Sequence, residues 1–173
     1  MNIDKIAVRP NPPQEINVIV EVLLRSDPIK HEFDKAAGAI VVDRFLYTTM
    51  FSPCNYGFIP LTLAEDGDAV DVMVPGRMPV LLGAVLPARP IGVLRMRDEA
   101  GPDEKILAVP LSRITRLWER VQAYRDVAES DLQRIAHYFE HYKDLEPEKW
   151  VELKGWGEPD EAHRPILEAM GRI

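Results

Sequence analysis

Apolar and polar positions follow a short period through the first two thirds of the chain and a longer one after it. Ile16-Asn17-Val18-Ile19-Val20-Glu21-Val22-Leu23 is β-branched and largely apolar, which predicts a strand with Glu21 as an odd polar insertion. Lys30 to Lys35 and Gly38 to Phe45 predict a strand pair around an Ala36-Ala37-Gly38 turn. Ala69 to Val74, Val80 to Leu86, Ile91 to Met96 and Lys105 to Val109 predict further short strands separated by turn residues. Tyr47 to Pro60 mixes Pro, Cys, Asn, Tyr and Gly and reads as an irregular loop. This spacing predicts an antiparallel barrel or sandwich over the first two thirds.

The last third changes period. Leu132, Ile135, Ala136 and Phe139 fall on one helical face, and Ser130 followed by Gln133 predicts a capping-box start for that helix. A short strand around Trp150 to Leu153 and a terminal helix near Pro159 to Met170 follow, with Pro165 marking a kink or a start in the latter. The class expected is mainly β with flanking helices (α+β), as one domain spanning residues 1–173.

Composition narrows the function. The chain has 173 residues, 46% of them hydrophobic, which suits one globular domain. A formal net charge of -7 argues against a nucleic-acid partner, although an acidic protein can bind a polyanion when metal cations stand between them. Cys54 is the only cysteine, Met1 to Glu15 show no secretory pattern, and no apolar run approaches the ~18 residues of a membrane span. A cytoplasmic protein with no membrane partner is expected.

The chemically informative segment is Glu65-Asp66-Gly67-Asp68-Ala69-Val70-Asp71-Val72. Gly67 permits a tight turn that brings Asp66 and Asp68 together, while Asp71 projects from the following strand. Hard cations such as Mg²⁺ take such oxygen ligands, and a solvated acidic turn is the competing reading. Asp98, Glu99, Asp103 and Glu104 form a second acidic group between two predicted strands, which reads either as an exposed hairpin loop or as the facing half of a multi-metal site. Lys30, Glu32 and Asp34 share one strand face, with Arg44 and Asp43 on the next strand, a mixture that suits metals and phosphate together or ordinary cross-strand ion pairs. Lys143 falls near the apolar face of the predicted helix and Tyr142 at its edge, pointing toward the sheet or, for Lys143, snorkelling into water. His137 and His141 fit an inverted zinc-peptidase pattern but lie roughly opposite the apolar stripe, so a surface or subunit contact is the better reading. Two like charges at 4 Å repel by about 4 kcal/mol at an effective dielectric near 20. If five or six carboxylates converge, that repulsion rivals the whole stability of a domain, ~5–15 kcal/mol, and cations or protons must accompany them.

Together these residues resemble the soluble family I inorganic pyrophosphatases of the bacterial type. The likeness runs from about Glu15 to Trp156 through Asp27-Pro28-Ile29-Lys30-His31-Glu32, Val42-Asp43-Arg44-Phe45, Pro53-Cys54-Asn55-Tyr56-Gly57, Asp66-Gly67-Asp68-Ala69-Val70-Asp71, Asp98-Glu99-Ala100-Gly101 and His141-Tyr142-Lys143-Asp144-Leu145. The resemblance implies hydrolysis of pyrophosphate to two phosphates with several Mg²⁺ per subunit, Mn²⁺ or another divalent ion being able to replace it. It implies that Asp66, Asp71 and Asp103 hold the tightest metal, that Asp71 bridges to a second, and that Asp98 with Asp103 takes a third. Glu32 would reach a further ion through water, Glu21 would support the pocket, and Asp68 would be the general base. Lys30, Arg44, Tyr56, Lys105, Tyr142 and Lys143 would grip the phosphoryl units. The implied fold is a closed five-stranded OB-like barrel packed against the long helix and the terminal helix, assembled as a homohexamer. Two positions depart from the family pattern: Ala69 stands where Pro is usual, and Ser52 where Tyr is usual. A non-catalytic OB-like binding module and a zinc peptidase are the competing classes; the acidic charge and the intact ligand set oppose the first, and the placement of the two histidines opposes the second.

Overall fold

The computed structural model describes residues 3–172. Strand β1 (Ile16–Val22) turns Ile16, Val18 and Val20 to one side and Ile19 and Glu21 to the other. Strand β4 (Asn55–Phe58) pairs antiparallel with β1 and with β5 (Asp71–Val74). β5 runs parallel to β7 (Gly101–Pro110), which is antiparallel to the long β6 (Val85–Asp98). The first residues of β6 return to pair with β1, so the five pairings form a ring. The far half of β6 pairs instead with β8 (Val151–Gly157).

Both faces of this ring are covered. Val18, Val20, Val72, Val74, Ile106 and Ala108 fill its inner side, joined by Ala162, Ile166 and Ala169 of the terminal helix α2 (Pro159–Met170). On the outer side, Met73, Leu94, Met96 and Leu107 pack under Leu132, Ile135, Tyr138 and Phe139 of α1 (Glu129–His141). Double coverage explains why Ile106 to Val109 is a continuous apolar run rather than an alternating one. A separate two-stranded hairpin, β2 (Ile29–Asp34) with β3 (Ala39–Phe45), lies over the outer face of β1 and β4, anchored by Phe33 against Phe58 with ring centroids 6.4 Å apart. No helix among the described residues is long and apolar enough to cross a membrane.

The structure corrects several expectations. The supposed loop from Tyr47 to Pro60 contains β4, where Gly57 passes so close to β1 that a Cβ would stand 1.9 Å from the Ile19 carbonyl oxygen. The segments Val80 to Leu86 and Ile91 to Met96 are not two strands. Residues before Val85 form a turn, with Gly83 at φ +78°, and one strand then runs through Pro87 and Pro90, absorbing a register shift between Pro90 and Gly92. α1 begins at Glu129, so Ser130 lies inside it and caps nothing; Ala128 is the N-cap, and Glu129 and Asp131 in the first turn offset the helix dipole. α2 begins at Pro159 and passes through Pro165 rather than starting there.

Candidate active site

The predicted site residues gather on the outer face of the ring, where the hairpin, the Asp66–Asp68 turn, the β6–β7 tip and the end of α1 meet. Period-2 alternation puts Asp71 and Met73 on the outer face of β5, and Asp103, Lys105 and Leu107 on that of β7, while Val72 and Ile106 point inward. Glu21, Lys30, Glu32, Tyr56, Asp68 and Asp71 line a cavity of about 180 Å³. Asp71 also borders an adjoining cleft of about 270 Å³, together with Asp66, Asp103, Glu104 and Arg164.

Lys105 is the hub. Its ammonium lies 2.8 Å from Asp71 Oδ2, 3.0 Å from Asp103 Oδ2 and 3.1 Å from the Tyr56 hydroxyl, and the residue is only 4% exposed. Burial alone would lower its pKa, but Asp71, Tyr56 and Asp103 more than reverse this and hold the ammonium charged. At the tip, Lys143 pairs with Asp98 at 2.7 Å, and Glu99 accepts from Lys149 at 3.0 Å. Lys143 is 6% exposed, so it does not snorkel into water. The tip itself is a tight turn in which the Ala100 N–H donates to Asp98 Oδ1 at 2.8 Å and Gly101 takes φ +129°. On the hairpin, Lys30 pairs with Glu32 and lies 3.5 Å from Asp43. Arg44 holds Asp43 at 2.8 Å and Glu146 at 3.2 Å. Tyr142 follows the last turn of α1 and joins Tyr56 and Lys30 around a small chamber of about 50 Å³. Ser52 also borders that chamber, its hydroxyl donating to the Cys54 carbonyl at 2.8 Å.

Several carboxyls of the site are pushed toward their neutral forms. Glu21 is raised to about 8, chiefly by burial, although the Phe33 N–H donated to it at 2.6 Å works the other way. Asp68 is raised by burial and then by Asp66 and Asp71. Asp103 is raised by burial, with Lys105 opposing and Asp71 adding. Burial is the first cause in each case, and neighbouring carboxylates crowded into the same crevice add to it.

Crowded carboxyls on an all-oxygen donor set fit hard divalent cations. Asp71 and Asp103 already share a positive charge between them, supplied by Lys105. Among the described residues no three acidic or imidazole groups converge tightly enough to chelate an ion by themselves. The set thus suits an ion that keeps waters and substrate oxygens among its ligands, as magnesium does.

Sequence reasoning placed Asp43 and Glu99 within charged groups without naming their partners, and passed over Lys149 and Glu146 altogether. Glu146 follows directly on the His141-Tyr142-Lys143-Asp144-Leu145 motif, so its neighbourhood was the one available signal. The His137 and His141 rings lie 4.7 Å apart, tilted by 56°, and His141 pairs with Asp144 rather than with any site residue.

The family model for inorganic pyrophosphatase matches residues 18–173. A Brucella melitensis protein named inorganic pyrophosphatase is 55% identical over 172 residues, 99% of this chain and 98% of its own. The crystal structure of an Anaplasma phagocytophilum inorganic phosphatase matches with a TM-score of 0.94 at 46% identity, covering 97% of this chain and 98% of that one. The Thermus thermophilus inorganic pyrophosphatase matches with a TM-score of 0.92 at 37% identity, covering 99% and 98%. The likeness extends over both the ring and the crevice built on its outer face, and the chain belongs to the family I inorganic pyrophosphatases.

Proposed function

We propose that this protein hydrolyses inorganic pyrophosphate to two orthophosphates, with Asp68 as general base. The observation that carries the reading is the cavity in which Asp68, Glu21, Asp71, Lys30 and Tyr56 face one another, acids and phosphate-binding groups side by side. Asp66, Asp71 and Asp103 would hold magnesium most tightly, Asp98 and Glu32 contributing to further ions, and the ions (Mn²⁺ in place of Mg²⁺ included) would neutralise the substrate and acidify a water.

The chain's own groups supply the rest. The raised pKa of Asp68 makes it a better proton acceptor than an ordinary aspartate, and its exposed side chain on the lip of the cavity is open to water. It takes the proton as the water oxygen bonds to one phosphorus and the bridging P–O bond breaks. Lys30, Arg44, Tyr56, Lys105, Tyr142 and Lys143 then donate to the phosphoryl oxygens, and charge on the departing phosphate is stabilised by groups already in place. Glu21 holds the hairpin against β1 through the Phe33 N–H.

The ring is read as a closed five-stranded OB-like barrel, and residues 1–173 as one domain acting in the cytoplasm. A homohexamer would cover part of the exposed apolar surface that includes Val42, Phe45 and Phe51, and the His137–His141 face is a second candidate contact.

Phosphate release from pyrophosphate, with and without Mg²⁺ and beside a nucleoside triphosphate control, tests the reading. Fast release is expected only for pyrophosphate with the metal. Asp68→Asn is expected to keep metal binding and lose about 10²–10⁴-fold in turnover. Near-normal turnover in that variant would remove Asp68 as base, and no release by the folded wild-type protein with Mg²⁺ or Mn²⁺ would overturn the function itself.

A further inference from the structure

Arg44 sits near the end of β3, on a two-stranded hairpin whose own contacts leave much of it in solvent. A guanidinium on a mobile stem binds a phosphoryl oxygen well only when its plane is fixed beforehand. Asp43 holds Nη1 at 2.8 Å, but Asp43 is the adjacent residue and is also drawn toward Lys30 at 3.5 Å. One contact from a neighbouring residue leaves the group free to pivot.

The second contact comes from a distant part of the chain. Glu146, in the turn beyond α1, places Oε2 3.2 Å from Arg44 Nε as an ion pair. Its side chain is only 8% exposed, and its Oε1, like Arg44 Nε, is buried without a hydrogen-bond partner, so the two groups meet as an ion pair. A buried carboxylate oxygen left unsatisfied costs stability, so folding alone does not favour a glutamate here. The same turn is fixed at both of its ends: Lys143 pairs with Asp98 and Lys149 with Glu99, both on the β6–β7 tip. The Glu146 N–H also donates to the Lys143 carbonyl at 2.9 Å. The carboxylate is therefore carried by a segment anchored to the other wall of the crevice.

We propose that Glu146 is a positioning residue for Arg44, holding its Nε edge while Asp43 holds Nη1, so that Nη2 is presented to a phosphoryl oxygen of the substrate. The inference rests on the pyrophosphate reading and on Arg44 as one of the groups that grip it. Without Glu146 the guanidinium swings about its single tether to Asp43, and the grip weakens while the groups nearer the reacting phosphorus stay in place.

The test is steady-state kinetics with magnesium pyrophosphate on the full-length protein, comparing wild type, Glu146→Gln, Glu146→Asp, Arg44→Ala and the Glu146→Gln/Arg44→Ala double variant. Glu146→Gln is expected to raise KM about tenfold with kcat falling less than about threefold, the pattern of a lost binding contact. Glu146→Asp, which keeps the charge, should recover part of that loss. The double variant should be no worse than Arg44→Ala within about twofold, because the two residues act as one unit. A wild-type KM in Glu146→Gln, or a Glu146→Gln defect of equal size with and without Arg44, would overturn the inference and leave Glu146 a structural tether. If Glu146→Gln does not fold, Glu146→Asp takes its place in the cycle, with a smaller KM increase that Arg44→Ala should abolish. An inactive wild-type protein would defeat the functional reading instead, which distinguishes the two failures.

Discussion

Glu21 occupies a position on β1 that its neighbours would suit better as an apolar residue. Burial, with Asp71 and Glu32 adding, raises its pKa from 4.5 to about 8. In the absence of divalent cations the folded protein therefore keeps this proton up to about pH 8, whereas the unfolded chain releases it near 4.5. Between those values the native state binds more protons than the unfolded one, so stability falls as pH rises through the window. Glu21→Gln removes the titration. In a chelator, the variant is expected to exceed wild type by on the order of 3 kcal/mol at the alkaline end and to match it below the window. Denaturant midpoints across the range measure this, and a glutamine variant with the wild-type slope would assign the pH dependence to other groups. Cys54, by contrast, is pushed up to about 12 by burial and is packed as an inert core group.

At the scale of elements, the site depends on how closely β4 lies against β1. Val20 pairs with Gly57, and a methyl group there would meet the Ile19 carbonyl oxygen at 1.9 Å and its carbon at 2.7 Å, both backbone atoms. Gly57→Ala is expected to cost more than about 3 kcal/mol and to displace Tyr56 next to it, read as a lowered unfolding midpoint together with a lost Lys105–Tyr56 contact. This strand was hidden in the sequence because its four residues, Asn, Tyr, Gly and Phe, carry no alternation and their neighbours are Pro and Cys. β6 was split in reading because Pro87 and Pro90 look like breakers, yet a register shift beside Pro90 lets the strand continue. β1, the hairpin and α1 were legible, each carrying a period longer than one turn of its own geometry. The acidic motifs were legible as chemistry, but their convergence was not. The Lys105 bridge and the Arg44–Glu146 pair join segments far apart in the chain, and only the closed ring brings them into reach.

For the whole molecule, a formal charge of -7 with several of its acids turned into one crevice makes divalent cations a folding partner as well as a reactant. An ion at a hundred times its Kd stabilises the native state by about 2.7 kcal/mol, and each kcal/mol moves the midpoint of a chain this size by roughly 2–4 °C. Thermal unfolding with excess Mg²⁺ and with a chelator is expected to differ by several degrees. Identical midpoints would contradict a multi-cation site. The ring has a further consequence, for colloidal behaviour. Each of its five strands finds partners on both sides, so the sheet's open edge falls on β8, at the end of the strand order. β8 carries exposed Glu152 and Lys154, paired with each other at 2.6 Å, and breaks its extended line at Gly155, φ +96°. Charge and a bend on the edge strand discourage a second chain from adding to it, so this β-rich protein carries its own guard against edge-to-edge aggregation.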